Sequence, residues 1–193
     1  NGIDSAETPY QTTKLRAEAM IRESGLDYTI FRPSVIFGDP RGTMEFATQL
    51  YRDMVRMPLP GVGFHTGLSP ASGEVLMSPV HVRDVADAFV NALTDDSTIG
   101  KCFMLGGPEV VSWPQMLQRI AAAVGKTKFI LPMPIGFMKL GATFLDWLPF
   151  FPVTRDQLTM LADGNTAEPD ELAKLIGRQP AEFSPANLAY LDR

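Results

Sequence analysis

The sequence predicts an α/β chain in which parallel strands alternate with helices, followed by a mostly helical tail. Three observations carry this. Helical and strand-like segments alternate as far as residue 131 or so, the pattern of a layered α/β domain. Hydrophobic residues make up 45% of the 193, with mean hydropathy +0.02, enough to bury a sizeable core. Turn and cap signals separate the segments at regular intervals.

In order, Thr8-Pro9 opens a helix over 10–24 that Gly25 ends. Residues 27–32 (DYTIFR) are aromatic and β-branched and read as a strand stopped by Pro33. A loop over 33–42 leads to a helix over about 43–56. Residues 57–74, with Pro58, Pro60, Pro70 and four glycines, read as a long irregular segment. Residues 75–79 form a short strand before a helix over 82–94, and KCFML at 101–105 is a strand ended by Gly106-Gly107-Pro108. Ser112, with Gln115 three residues on, opens a helix that Gly125 closes. Residues 128–131 are a further strand. Helices then start near Ile135, Thr154 and Pro169, with a short turn before Tyr190. The organisation expected is an α/β portion over 1–131, with interleaved segments near 40–80, and a helical region over 132–193.

Composition excludes several classes. Seventeen Lys and Arg against 22 Asp and Glu give a net charge of -5, which disfavours a general nucleic-acid binder. One cysteine, Cys102, and two histidines, His65 and His81, allow neither a disulfide framework nor a metal cluster. The single cysteine suits a reducing, cytoplasmic setting. The apolar stretch 135–148 is bounded by prolines and too short for the ~20 residues of a membrane span. It reads as a helix packed on its own domain, or as a lid over an apolar ligand or a face for a protein or peripheral membrane partner.

The chemistry lies first in Tyr10-Gln11-Thr12-Thr13-Lys14. Residues four apart share a helix face, so phenol and ammonium converge. A nearby cation favours phenolate, and such a Tyr can exchange a proton with a carbonyl or alcohol. No Gly-x-Gly-x-x-Gly or Gly-x-x-Gly-x-x-Gly follows a predicted strand, so the usual phosphate cradle is missing from these residues.

The motifs recur in a telling order: Tyr10-x-x-x-Lys14, Ser24-Gly25-Leu26-Asp27-Tyr28-Thr29, Phe31-Arg32-Pro33-Ser34-Val35-Ile36-Phe37-Gly38, then Val80-His81-Val82-Arg83-Asp84-Val85-Ala86. The series resembles the extended and atypical short-chain dehydrogenase/reductases of the NAD-dependent epimerase/dehydratase group, over residues 5–125. The tail 148–158 (LPFFPVTRDQL) adds a likeness to the branch that includes the nucleotide-binding accessory subunit of respiratory complex I and its bacterial relatives.

The resemblance implies that this chain is the C-terminal part of an NAD(P)-binding Rossmann fold plus a small, mostly helical substrate-binding region. The N-terminal βαβ half, with its glycine turn, would precede residue 1. It implies Tyr10 as acid/base, Lys14 as its partner and a holder of the nicotinamide ribose, and Pro33, Ser34 and Val35 beside the nicotinamide of NAD or NADP. His81 reads more simply as a structural hydrogen-bonding residue, and Asp84 as a local cap or pair.

Two positions depart from the sugar-nucleotide enzymes. Val35 stands where they carry an Asn, and Met77, four residues before His81, where they carry an Arg. Each missing charge-assisted hydrogen bond to a diphosphate is worth about 1.5–3 kcal/mol. The expected substrate is therefore an apolar alcohol, ketone or quinone-like molecule. The alternative is a non-catalytic nucleotide-binding scaffold or assembly factor. Self-association through open sheet edges is expected of the isolated chain, as is a cytoplasmic location, with room for a peripheral place at the inner face of the membrane.

Overall fold

The computed structural model describes residues 8–67, 69, 72–137 and 155–192. Within them, helix α1 (Pro9–Glu23) starts at Thr8, whose hydroxyl accepts the Gln11 N–H while the Gln11 side chain accepts the Thr8 N–H. This capping box satisfies two otherwise orphaned donors. The chain leaves α1 through Gly25, at φ 72°, and enters β1 (Thr29–Pro33). Strand β2 (Ile36–Phe37) follows inside the segment expected to be a loop.

The helix expected over 43–56 is shorter and begins later. Glu45 caps α2 (Phe46–Leu50) by accepting the Ala47 and Thr48 N–H groups, and residues Tyr51–Val55 widen into a π turn. The segment expected to be irregular contains β3 (Gly61–His65). Its two glycines and flanking prolines hide it from a propensity argument. Gly63 is needed there because a Cβ on it would stand 2.8 Å from the Ile130 side chain of the neighbouring strand. Strand β4 (Leu76–Met77) lies within the strand predicted at 75–79, and a second short strand, β5 (Val80–His81), follows it before α3 begins. Helix α3 (Val82–Ala92), strand β6 (Lys101–Leu105) and helix α4 (Trp113–Ala123) fall where expected, and β7 (Val111–Ser112) precedes α4. Ser112 and Gln115 form the predicted capping box. The last strand, β8 (Ile130–Pro134), runs later than predicted and spans the expected boundary at 131. Helices α5 (Arg155–Ala162) and α6 (Pro169–Ile176) follow, then a 3-10 turn at Ala189–Asp192. Of the helix expected over 135–148, only 135–137 fall among the described residues, and they are helical.

The strands pair as β1–β6, β2–β5 and β3–β8, all parallel, with one antiparallel pair, β4–β7. The α/β class is thus as the sequence predicts. β1 and β6 run in register from Thr29 opposite Lys101 to Pro33 opposite Leu105. The larger core gathers Trp113, Met116, Leu117 and Ile120 of α4 against Phe37, Phe64, Leu158, Phe183 and Leu188. A second cluster joins Val85 and Ala88 of α3 to Leu105 and Leu172 of α6, with Phe31 and Phe103 of the β1–β6 pair packed on it. No helix among the described residues is long and apolar enough to cross a membrane.

Candidate active-site cleft

Helix α1 and the end of β1 face each other across a cleft of about 690 Å3. Two contacts set their spacing. Arg32 on β1 donates from Nε and Nη2 to both carboxylate oxygens of Glu18 on α1, each at 2.8 Å. Both side chains are only 14% exposed, and the guanidinium holds the Glu18 carboxyl below its ordinary range. Fully buried Gln11 also reaches Asp163, 3.4 Å away, tying the start of α1 to the loop after α5.

Five of the residues singled out in the sequence line this cleft: Tyr10, Lys14, Pro33, Ser34 and Val35. Tyr10 is 55% exposed, and the Lys14 ammonium lies 5.5 Å from the centre of its ring. The i, i+4 spacing therefore does bring phenol and ammonium to one face. Ser34 is fixed by two bonds: its N–H donates to the Leu105 carbonyl at 2.7 Å, and its hydroxyl to the Asn165 carbonyl at 2.6 Å.

A second, mainly apolar cavity of about 340 Å3 adjoins the cleft and shares Val35, Met160 and Asn165 with it. Phe46, Met54, Phe64, Met77 and Trp113 form its apolar walls. Met77 thus stands in the cavity and not in the cleft. His81 lines neither. It caps α3, its Nδ1 accepting the Arg83 N–H at 3.2 Å, with its ring edge-on to Phe37. Burial pushes its pKa down, against the pull of Asp84. Asp84 pairs far along the chain rather than locally: it is 1% exposed, meets Arg178 at 2.6 Å and accepts the Ala181 N–H at 2.7 Å. A larger concavity of about 1170 Å3 beside β6 and α6 holds none of the predicted site residues. No group of three metal-ligating side chains occurs among the described residues.

Sequence reasoning missed Met160 and Asn165. They enter the site from the tail, where no motif spacing marks them, and only the fold brings them to Val35.

A parallel α/β layer with a Tyr-x-x-x-Lys helix beside a strand-end Pro-Ser-Val defines the architecture of the short-chain dehydrogenase/reductase class. The chain belongs to the NAD dependent epimerase/dehydratase family, whose pattern matches residues 3–106. Among curated relatives, the NADH-ubiquinone oxidoreductase 40 kDa subunit of Neurospora crassa mitochondria is 24% identical over 100% of this chain and 48% of its own length. The NADH dehydrogenase 1 alpha subcomplex subunit 9 of Arabidopsis thaliana is 28% identical over 82% of this chain and 39% of its own. The chain thus spans about half, or less, of these relatives' length. Solved structures share the fold. The NADPH-dependent quinone oxidoreductase of Escherichia coli superposes with TM-score 0.65 at 16% identity, over 99% of this chain and 64% of that one. A UDP-glucuronic acid 4-epimerase of Bacillus cereus, bound to UDP-glucuronic acid and NAD, gives 0.63 at 18% identity, over 96% and 52%.

Proposed function

We propose that the protein works in NAD(P)-linked oxidation and reduction of an apolar alcohol, ketone or quinone-like substrate. The observation that carries this is the cleft in which α1 presents Tyr10 and Lys14 to Pro33, Ser34 and Val35, next to an apolar cavity. The cleft suits the nicotinamide-ribose end of the cofactor: a cation, a phenol and strand-end backbone line a volume within the 300–1,000 Å3 of ordinary ligand sites. The 193 residues offer no glycine turn for the pyrophosphate.

When bound, the nicotinamide supplies or accepts the hydride. The Tyr10 hydroxyl gives its proton to a carbonyl oxygen in reduction, and takes it from an alcohol in the reverse direction. Lys14 places positive charge by the phenolate left behind and can donate to ribose hydroxyls. Pro33 and Val35 wall the cleft, and Ser34, with its hydroxyl committed to Asn165, offers its carbonyl to the cofactor's carboxamide. Val35 and Met77 offer no partner to a sugar diphosphate, which favours the apolar class of substrate.

These 193 residues alone are expected to bind the cofactor weakly or not at all, so the test is NAD(P)H-dependent reduction of apolar ketones and quinones by the whole protein and its Tyr10→Phe variant. General acid catalysis is worth typically ~10²–10⁴-fold, so turnover should fall by about that factor. A second reading, a nucleotide-binding scaffold without turnover, is favoured by the complex I subunits among the relatives. It takes over if Tyr10→Phe leaves the rate unchanged or no ketone or quinone turns over.

A further inference from the structure

The loop that follows α5 delivers one side chain to the wall shared by the cleft and the apolar cavity: Asn165. Its backbone is held on three sides. Its N–H donates to the Leu76 carbonyl at 2.9 Å, and its carbonyl accepts both the Ser78 N–H at 2.9 Å and the Ser34 hydroxyl at 2.6 Å. Gly164 makes this approach possible, at φ 68° and so close that a Cβ would stand 3.0 Å from the Leu76 carbonyl oxygen. The carboxamide contrasts with its backbone. Its Oδ1 is the one side-chain polar atom, among the described residues, that is buried without a hydrogen-bond partner.

A buried polar atom normally finds a partner, and each exception calls for a reason. Here the reason lies in the neighbours. The carboxamide borders a cavity walled by Phe46, Phe64, Met77 and Trp113, in which polar groups are few. A half-turn about Cβ–Cγ exchanges its donor and acceptor and breaks no bond, because Oδ1 has none to lose. An immobile backbone under an uncommitted head group is what a ligand contact requires.

We propose that Asn165 is the substrate-orienting residue of this site, resting on the reading of the cleft and cavity given above. Its Nδ2 donates to the carbonyl oxygen of an apolar ketone or quinone whose body fills the cavity. With the corresponding alcohol, Nδ2 donates to the hydroxyl oxygen and leaves the hydroxyl proton directed at Tyr10. A carboxamide N–H serves both partners of a carbonyl–alcohol couple without placing a charge in the apolar cavity, which an acceptor-only carboxylate at this position could not. Ser34 acts through Asn165 as a positioning residue, since its hydroxyl fixes the Asn165 carbonyl.

The cavity, at about 340 Å3, is roughly twice the ~150 Å3 that takes up benzene in an engineered apolar cavity, so bicyclic probes suit it. The experiment compares 1-tetralone with tetralin, which lacks the carbonyl, in binding to the 193-residue chain. The indole N–H resonance of Trp113, which lines the cavity and donates to the Val62 carbonyl at 2.9 Å, reports occupancy. One net hydrogen bond corresponds to about two- to tenfold in affinity. 1-Tetralone should bind more tightly than tetralin by that factor. Asn165→Ala and the similarly sized Asn165→Leu should each abolish the preference while tetralin binding persists, and Ser34→Ala should reduce it. Equal affinity for the two probes in the unaltered chain, or a preference that survives both Asn165 variants, overturns the role of Asn165 and leaves the apolar cavity standing. If neither probe moves the Trp113 resonance, the cavity itself is not the substrate site, and both readings fall.

Discussion

Replacing Asp84 with Ala tests how the tail is held to the α/β layer. Asp84 lies in the first turn of α3 and is almost fully buried. Its Oδ2 accepts the Ala181 N–H at 2.7 Å, and its Oδ1 meets Arg178 at 2.6 Å. A hydrogen bond to a charged group contributes about 1.5–3 kcal/mol. The Arg178 side chain is 46% exposed and remains solvated, so its ion pair adds only about 0–1 kcal/mol. Asp84→Ala should therefore destabilise by about 1.5–4 kcal/mol. For a chain of this length that corresponds to a fall in Tm of about 3–16 °C. Asp84→Asn keeps an acceptor for Ala181 and exchanges a charged bond for a neutral one, so its loss should be about 1–2.5 kcal/mol. Urea denaturation and thermal melts of the two variants and the unaltered chain provide the measurement. If Asp84→Ala changed stability by less than about 0.5 kcal/mol, the level of an ordinary surface substitution, the buried carboxylate would not be what docks the tail. Equal losses in the two variants would show that the negative charge, and not the packing of the side chain or a neutral acceptor for Ala181, holds the tail.

Glu18→Gln removes the charge from the bidentate Arg32 contact and should destabilise by about 1–2 kcal/mol in denaturant titrations. Because Arg32 holds the Glu18 carboxyl below 4.5, this contribution is present above pH 4.5 and disappears as pH falls through the lowered value, so the variant's deficit should shrink in acid. For His81 the folded pKa also lies below the ordinary 6.5, chiefly through burial, while Asp84 opposes the shift and Arg83 and Arg178 add to it. The unfolded chain then takes up the proton first as pH drops below 6.5, and stability should fall from there until the folded protein titrates too. His81→Asn, which can still cap α3, should flatten that slope. Gly164→Ala forces a left-handed residue to carry a Cβ against the Leu76 carbonyl and should destabilise by about 1–2 kcal/mol in thermal melts.

Most of the α/β layer was legible because its signals are local. Thr8-Pro9 and Ser112 announce their helices, and the aromatic and β-branched run before Pro33 announces β1. The four-residue step from Tyr10 to Lys14 was enough to place phenol and ammonium on one helix face. β3 was not legible, since what makes Gly61 and Gly63 part of a strand is the approach of β8, which sets Gly61 opposite Ile130, 69 residues further along. The two-residue strands β2 and β7 are likewise defined only by the partners they meet. Asp84 reads from the sequence as a local cap or pair because its partners, Arg178 and Ala181, lie in the tail, where no spacing rule links them to α3. The cleft divided in the same way: its α1 and β1 side could be read from motifs, while Met160 and Asn165 arrive through the tertiary fold.

The side of the cavity beyond Val35 bears on which chemistry this fold serves here. The solved structures that share the fold include a quinone oxidoreductase and an enzyme holding a UDP-sugar, so the fold by itself does not choose between them. The lining does favour one. Among the described residues, the ionisable side chain lining the cavity is a carboxylate, Asp53, and no Lys or Arg lines it. A diphosphate placed there would meet a like charge and apolar walls, where charge is poorly screened and each unmet hydrogen bond to a charged oxygen weighs against binding. A neutral carbonyl compound meets the opposite conditions: Phe46, Phe64 and Trp113 for its body, and at the border with the cleft a carboxamide for its single oxygen. On the reading proposed above, Val35 and Met77 give such a molecule apolar walls, and Asn165 supplies the polar contact for its one neutral oxygen.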